Sequence, residues 1–246
     1  MNKEIKIGTG TQATVYRNQN HAIKVFKKDY NKAYAFYEAM INSLIEDVGL
    51  PIAKVHEVLE INDNIAMKMD FIEGVTLHDC YLSNIYNVNK YVDIMVDMQI
   101  EIHSKDIQLP YNLNNRLREK ILCNKMINKT SKNKLLNILD KLPDGKCLCH
   151  GDFYGYNIIK QQDKYYIIDW IDATNGCDNA DVCRTYMLYL FHSQKIAELY
   201  LEIYCNKTKK EKKDILDWIP IILAARLSEN IHDQEKEKIL SVIQDL

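Results

Sequence analysis

The sequence predicts an α+β protein with a strand-rich N-terminal lobe, residues 1–70, and a mainly helical C-terminal lobe, residues 71–246. Strand-like alternation dominates the first third of the chain and helical periodicity dominates the rest, where one short island of strands interrupts the helices. A length of 246 residues with 47% hydrophobic residues is enough to build one substantial core or two small lobes. Two lobes imply a cleft between them in which a small molecule can bind.

The N-terminal lobe is predicted to contain a small antiparallel sheet and one helix. Strands are expected at 4–7, 13–17, 21–26, 53–61 and 65–71, and the helix at about 33–45. The glycine turn GTGTQ, residues 8–12, joins the first two strands. If the apolar face of the helix is centred on Tyr37, Glu38 lies at its margin and can point into the lobe. Glu46 falls nearly opposite and is expected in solvent.

The C-terminal lobe is predicted to be helical around a small group of strands. Helices are expected at 88–103, 113–127, 131–141, 180–205 and 210–243, the last interrupted at Pro220 and near Asn230. The strand island comprises residues 147–150, 157–160 and 165–169, and its last two strands form a hairpin. Cys147 and Cys149 fit one face of a strand better than a zinc site, because no second ligand pair follows at zinc spacing.

Charge and composition exclude several classes of function. A net charge of −2 argues against a nucleic-acid partner and against an acidic membrane partner. The chain start has no apolar signal core, and the apolar run at 218–225 is too short to cross a bilayer, so a cytoplasmic location is expected. Seven cysteines without a secretion signal indicate reduced thiols rather than disulfides. The sequence leaves the oligomeric state open.

The strand island contains the residues that are hardest to explain as ordinary structure. His150-Gly151-Asp152 is followed by Asn157, five residues after the acid, and the hairpin then delivers Asp169. Asn157 and Asp169 offer hard oxygen ligands at neighbouring strand ends, which suits Mg²⁺ bridging phosphate oxygens. Asp152, on the loop beside them, can accept a hydroxyl proton and orient that hydroxyl for attack.

Three N-terminal features suit a nucleotide, and each also has an ordinary structural explanation. The turn at residues 8–14 lets a backbone approach phosphates, but a plain hairpin turn has the same pattern. Lys24 can pair with Glu38, or it can reach solvent from a strand edge. The segment 67–74 can cross between lobes and hold a flat heterocycle, or it is a simple strand end.

The order of these features resembles the protein-kinase-like enzymes. A glycine-rich hairpin, a strand lysine, a helix glutamate, an Asp-x4-Asn loop and a strand-end Asp follow one another, as in that superfamily. Gly151 replaces the arginine of regulated protein kinases, and only a short loop follows Asp169, so a peptide platform is absent from the pattern. His-Gly-Asp-x4-Asn with Ile-Asp-Trp resembles the aminoglycoside phosphotransferase and choline kinase group, over nearly the whole chain.

The resemblance implies a two-lobe kinase fold, ATP and Mg²⁺ as cofactors, and a role for each matching residue. ATP is expected to contact Gly8, Thr9, Gly10, Thr11, Lys24, Met69, Asp70 and Ile72, with Glu38 fixing Lys24. Asp152 is the expected catalytic base, and Asn157 and Asp169 the expected Mg²⁺ ligands. His150 is expected to support the loop by hydrogen bonding. Asp181 is either a helix cap or a buried brace, and the cap is the simpler choice.

The expected reaction is transfer of the γ-phosphoryl group of ATP to a hydroxyl of a small molecule, in the cleft between the lobes. Family resemblance makes an aminoglycoside the first expectation for the acceptor, and choline-, ethanolamine-, homoserine-, thiamine- or sugar-like compounds are the alternatives. A polycationic acceptor needs an acidic pocket, for which the candidates are Asp172, Asp178, Glu229, Asp233 and Glu235. A small protein kinase and a non-catalytic nucleotide-binding scaffold remain open as other classes.

Overall fold

The computed structural model describes residues 5–83 and 85–246. Its contacts divide the chain into two compact units. The first unit comprises the described part of residues 1–84 together with residues 155–172, and the second comprises residues 85–154 and 173–246. The expected α+β class is confirmed, whereas the lobe boundary after residue 70 stays a prediction.

A five-stranded antiparallel sheet forms the centre of the first unit, in the order β1-β2-β3-β5-β4. Its strands are β1 (Ile5–Thr9), β2 (Ala13–Asn18), β3 (His21–Phe26), β4 (Val55–Ile61) and β5 (Asn64–Asp70). The predicted meander is therefore present, and Glu4, its predicted start, lies outside the described residues. Alternation places Phe26 and Met67 on one face, where they pack with Ala13 and Ala35.

The helix α1 (Lys32–Glu46) covers this sheet, and its buried face differs from the predicted one. The buried residues are Ala35, Glu38, Ile41, Asn42 and Ile45. Phe36, Met40 and Leu44, which the apolar periodicity placed inside, are exposed. Polar contacts set the rotation: Glu38 bonds to Lys24, and Asn42 Nδ2 donates to Ala53 O at 2.9 Å.

Glu46 also differs from its prediction, because it is half-buried rather than solvated. One of its carboxylate oxygens accepts a hydrogen bond from Val55 N at 2.8 Å. The end of α1 thus holds the start of β4, and the helical wheel could not show this partner.

A second, three-stranded sheet belongs to the same unit and has the order β6-β8-β9. Its strands are β6 (Val75–Thr76), β8 (Ile158–Gln161) and β9 (Lys164–Ile167), and α2 (Leu77–Ser83) follows β6. The β8–β9 hairpin was predicted, whereas β6 and α2 were not, since they are too short for a periodic signal. Gly74 allows β6 to approach β8 closely, because a Cβ at residue 74 would lie only 2.2 Å from Lys160 O.

The second unit is mainly helical. Its helices are α3 (Val88–His103), α4 (Leu113–Cys123), α5 (Lys129–Leu139), α6 (Asp178–Leu190), α7 (Gln194–Thr208), α8 (Lys212–Leu216), α9 (Ile219–Arg226) and α10 (Asp233–Gln244). The predicted helix 180–205 is two helices, because Ser193 caps α7 through the Ile196 amide. Pro220 lies in the first turn of α9, where its missing N–H costs no helical hydrogen bond.

The strand island is split between the two units. β7 (Cys147–Cys149) pairs with β10 (Thr174–Gly176) in the second unit, whereas the β8–β9 hairpin belongs to the first. β10 occupies what the sequence suggested was a loop. Across the described residues, no helix has the length and apolar character needed to span a membrane.

Candidate active site

Lys24 is the centre of a polar cluster in the first unit. It lies on β3, and its Nζ is 2.5 Å from Glu38 Oε1 and 3.2 Å from Asp169 Oδ1. The predicted pairing with Glu38 is confirmed. The contact with Asp169 joins the predicted phosphate-binding lysine to a predicted metal ligand, although 145 residues separate them in the chain.

Burial and charge perturb both members of the Lys24–Glu38 pair. Burial on its own would lower the pKa of Lys24, but the charges of Asp169 and Glu38 outweigh it and raise that pKa. Burial raises the pKa of Glu38, and the Lys24 charge offsets this only in part. Glu38 Oε2 is buried and has no hydrogen-bond partner among the described residues, an arrangement that costs about 1–3 kcal/mol. The pair is thus an expensive arrangement to keep for stability alone.

The β8–β9 hairpin sets the positions of Asn157 and Asp169. Ile158 is paired with Ile167, and Ile168 N donates to Asn157 O at 3.0 Å, so the two predicted metal ligands flank one end of the hairpin. Asp169 has φ +66°, a left-handed conformation that costs a non-glycine residue about 1 kcal/mol. Strain of this kind is typical of functional positions.

The donor set of this hairpin end fits Mg²⁺. One amide oxygen and one carboxylate match the few protein ligands that Mg²⁺ takes when phosphate oxygens and water complete its shell. No cluster of three or more His, Cys, Asp or Glu residues suited to a metal occurs in the described part of the chain.

The glycine turn between β1 and β2 contains two glycines that the fold itself does not require. A Cβ on Gly8 would lie 3.9 Å from Val15 Cβ, and one on Gly10 would lie 3.7 Å from Ala13 O, both ordinary contacts without a positive φ. The turn is closed by Gly10 N donating to Ala13 O at 2.9 Å. Thr9 and Thr11 are exposed. The glycines leave room for a close backbone approach by another group.

The end of β5 contains the residues predicted to hold a heterocycle. Met69 packs against the core of the first unit, and Asp70 fixes the strand end through His56 Nε2, 2.7 Å from its Oδ1. Phe71 N donates to Asn20 O at 3.0 Å. The amide of Ile72 makes no hydrogen bond to the described residues, which leaves it available to a ligand.

The loop with Asp152 lies in the second unit, and its backbone explains the glycine before the acid. Gly151 has φ +82°, a conformation that arginine would adopt only with strain. His150 is fully buried, and its Nδ1 accepts a hydrogen bond from Asp152 N at 3.2 Å. The hydrogen-bonding support expected from His150 is confirmed.

Asp181 is a buried brace, so the preferred prediction of a helix cap is wrong. Its carboxylate accepts hydrogen bonds from Gly151 N at 2.7 Å, His150 N at 3.3 Å and Gln99 Nε2 at 3.0 Å. His103 Nε2 lies 3.0 Å away. Burial alone would raise the pKa of Asp181, but the hydrogen bond and charge of His103, with the amides, hold it below its usual value. A buried anion fully supplied with donors fixes the loop backbone.

Arg184 is a contact of Asp152 that the sequence did not reveal. One turn after Asp181 on α6, its Nη2 lies 3.3 Å from Asp152 Oδ1 and 2.9 Å from Glu229 Oε2. Its Nε donates to Gly151 O at 3.3 Å. An arginine at helical spacing has no motif of its own, so the only available signal was its position one turn beyond Asp181.

The acidic residues predicted to line the acceptor site differ in their ion-pair partners and in their burial. Asp178 bonds to Lys210 at 2.6 Å, and Asp233 bonds to Lys236 at 2.9 Å. Glu229 contacts three cations, and Glu235 contacts Arg226. Asp172 is half-buried in the first unit, where its charge contributes to the raised pKa of Glu38.

The comparison with family profiles shows the family of this chain, and the comparison with solved structures shows its fold. The sequence profile of the phosphotransferase enzyme family matches residues 5–211. A thermostable mutant of aminoglycoside phosphotransferase APH(4)-Ia, in ternary complex with AMP-PNP and hygromycin B, matches at TM-score 0.73 and 13% identity over 99% of this chain and 94% of that one. A choline/ethanolamine kinase family protein from Mesorhizobium loti matches at TM-score 0.67 and 13% identity, over 99% and 87% of the chains.

A third solved structure broadens the range of substrates among the similar proteins. The amicoumacin kinase hAmiN, in complex with AMP-PNP, Ca²⁺ and Ami, matches at TM-score 0.64 and 12% identity over 98% of this chain and 87% of that one. No curated protein matches the sequence significantly. At these identities the structural likeness establishes the fold, while the profile establishes the family.

Proposed function

This chain belongs to the phosphotransferase enzyme family, and we propose that it transfers the γ-phosphoryl group of ATP to a hydroxyl of a small molecule. The observation that carries this proposal is the double contact of Lys24 Nζ, with Glu38 at 2.5 Å and Asp169 at 3.2 Å. It unites the residue types that hold nucleotide phosphates and their metal in kinases. An ATP-dependent reaction of this kind fits the cytoplasmic location expected from the sequence.

On this proposal the first unit binds the nucleotide and the metal. The turn at residues 8–11 covers the phosphates, Lys24 binds phosphate oxygens with Glu38 orienting it, and the backbone at 69–72 holds adenine. Asn157 and Asp169 hold Mg²⁺. When bound, this metal neutralises charge on the phosphate oxygens. Two observations support this assignment: the left-handed backbone of Asp169, and the open space at the Cβ positions of Gly8 and Gly10.

The second unit supplies the base. Asp152 accepts the proton of the acceptor hydroxyl and orients that oxygen for attack on the phosphorus. His150 and Asp181 fix the loop backbone around it, so positioning and charge contribute more than covalent chemistry. An aminoglycoside is the acceptor expected from family resemblance. A choline-, ethanolamine-, homoserine-, thiamine- or sugar-type alcohol is the alternative.

Asp152→Asn tests the assignment of the base. We expect transfer to fall by roughly two to four orders of magnitude, because the amide cannot take the proton. The affinity for Mg·ATP, measured by calorimetry, should stay near that of the parent. Asp163→Asn, in the exposed β8–β9 turn, removes a carboxylate of the same type and should leave both values unchanged. A variant at Asp152 that turns over near the parent rate would refute the role.

The class of acceptor is tested with ATP and three kinds of compound: aminoglycosides, amino alcohols and a generic peptide. Phosphorylation of a small alcohol supports the proposal. The chain between Asp169 and α6 is short and contains β10, which leaves little length for a peptide platform. Transfer to the peptide alone would make the protein a protein kinase. Tight ATP binding with no transfer to any hydroxyl would make it a scaffold.

A further inference from the structure

Oppositely charged side chains form a continuous series from Asp152 to α10 in the second unit. Arg184 bonds to Asp152 at 3.3 Å and to Glu229 at 2.9 Å. Arg226 Nη1 bonds to the same Glu229 oxygen at 3.0 Å, and its Nε bonds to Glu235. Lys120 Nζ lies 3.9 Å from Glu229. We call these six residues the ion-pair network of the second unit.

The ion-pair network contains equal numbers of positive and negative charges. Its three carboxylates, Asp152, Glu229 and Glu235, face three cations: Lys120, Arg184 and Arg226. The two guanidinium groups are well shielded from solvent, with side-chain exposures of 13% for Arg184 and 10% for Arg226. Removing one partner from a shielded ion pair leaves the other charge uncompensated, which is more costly than breaking an exposed pair.

The remaining acids that the sequence assigned to the acceptor in this unit are also paired. Asp178 bonds to Lys210, and Asp233 bonds to Lys236. A ligand with several ammonium groups would have to displace these lysines and arginines from their carboxylates. It would also bring positive charge close to Arg184, which stays bonded to the carboxylate that must receive the acceptor hydroxyl.

We propose that the acceptor is an alcohol with at most one positive charge, and that Arg184, held by Glu229, sets this selectivity beside Asp152. This inference rests on the proposed phosphotransfer, because it takes Asp152 as the base. It departs from the aminoglycoside expected by resemblance. Arg184 is a positioning residue here: it orients the Asp152 carboxylate and keeps its surroundings from becoming a cation site.

The first test compares acceptors of different charge with the parent enzyme. Hygromycin B and streptomycin represent polycations, choline carries one fixed charge, and a methyl glucoside is neutral. We expect kcat/KM for the polycations to be at least about 100-fold below that of the better of the other two. A polycation as the preferred acceptor would overturn the inference and leave the phosphotransfer itself intact.

The second test measures binding and needs no turnover. Arg226→Gln removes one of the three cations at Glu229 and the cation bonded to Glu235, so hygromycin B should bind about tenfold more tightly by calorimetry at low salt. This gain should fade as salt screens the charges. Lys120→Gln should act in the same direction but less strongly, and it keeps the test usable if the Arg226 variant folds poorly. Lys213→Gln is the control, since it changes the net charge equally at an exposed pair with Asp217.

The outcomes separate clearly. Tighter binding of hygromycin B by the Arg226 and Lys120 variants, with no change in the Lys213 variant, supports the role of the ion-pair network. Equal affinity for hygromycin B in the parent and in both network variants overturns this role. An equal gain in affinity in the Lys213 control also overturns it. Failure of the phosphotransferase assignment would show itself separately, as loss of ATP-dependent transfer to all acceptors in the first test.

Discussion

Among single residues, Asp181 fixes the backbone next to Asp152 through buried hydrogen bonds. The Asp181 carboxylate is surrounded by four donors of the protein instead of water: two backbone amides, Gln99 and His103. Tyr200 OH in turn donates to Gln99 Oε1 at 2.5 Å, so the brace extends into α7. Through the bonds from His150 N and Gly151 N, the Asp181 carboxylate holds the backbone of the loop with Asp152.

Asp181→Asn should lower the free energy of unfolding by about 2–4 kcal/mol at pH 7, because an amide cannot accept all four hydrogen bonds. The pH dependence has a defined sign. The folded-state pKa of Asp181 lies below the usual value of 3.8, so its contribution is present above about pH 4 and is lost as pH falls through the folded pKa. Urea unfolding of parent and variant should therefore converge in acid.

The control for this experiment is Asp106→Asn, which alters an exposed carboxylate of the same unit. Its unfolding midpoint should match the parent at pH 7 and at pH 3 alike. A difference between the Asp181 variant and the parent that stays constant from pH 7 down to pH 3 would contradict the ionised brace.

Residue roles differ in how far the sequence reveals them. Lys24 and Glu38 could be paired from their order and their flanking apolar residues, and the structure joins them. Asp181 was misassigned, because an acid in the first turn of a helix has the same pattern whether it caps or braces. Arg184 was missed, because its partners, Asp152 and Glu229, are distant in sequence and only folding brings them into contact.

At the level of elements, the β1–β2 turn offers the clearest separation of fold from function. Gly10→Ala should leave stability nearly unchanged or raise it slightly, because the added Cβ meets only ordinary contacts. Affinity for ATP should weaken by at least about tenfold, or ~1.4 kcal/mol, if the backbone there must approach phosphates. Thermal unfolding and calorimetry measure the two effects on one sample.

Gly49→Ala is the matched control for that substitution. Gly49 has φ +76° at the end of α1, so alanine there should cost about 1 kcal/mol of stability and leave ATP affinity alone. Finding the opposite pattern, with Gly10 important for stability and irrelevant to ATP, would show that the turn serves the fold only.

Elements were predicted well where their pattern was long. The meander of β1, β2 and β3 and the long helix α3 follow from periodicity. The two-residue β6 and the three-residue β10 have no periodic signal and exist only through their partners β8 and β7. The rotation of α1 failed for another reason: buried polar contacts outweighed three apolar side chains.

For the whole molecule, the cysteines give a prediction that involves both units. All seven cysteines lie among the described residues, and none of them forms a disulfide there. Burial raises the pKa values of Cys147, Cys149, Cys177, Cys183 and Cys205, which keeps these thiols protonated and unreactive. The melting temperature should therefore be the same with and without a reductant.

Thiol titration tests the same prediction residue by residue. Cys123 is the exposed cysteine and should react first with an aromatic disulfide reagent, while the buried thiols react only on unfolding. Cys123→Ser should remove this fast phase. A reductant-sensitive melting temperature, or several fast thiols in the folded protein, would contradict the assignment.

The first unit is discontinuous in the chain, and this sets an order of events during synthesis. β6 cannot pair until β8 is made about 84 residues later, and Lys24 cannot contact Asp169 until 145 residues later. At roughly 5–20 residues per second, the five-stranded sheet is present without the β8–β9 hairpin for several seconds during synthesis. The first unit is therefore completed only after residue 172 has been made, although most of its residues come before residue 85.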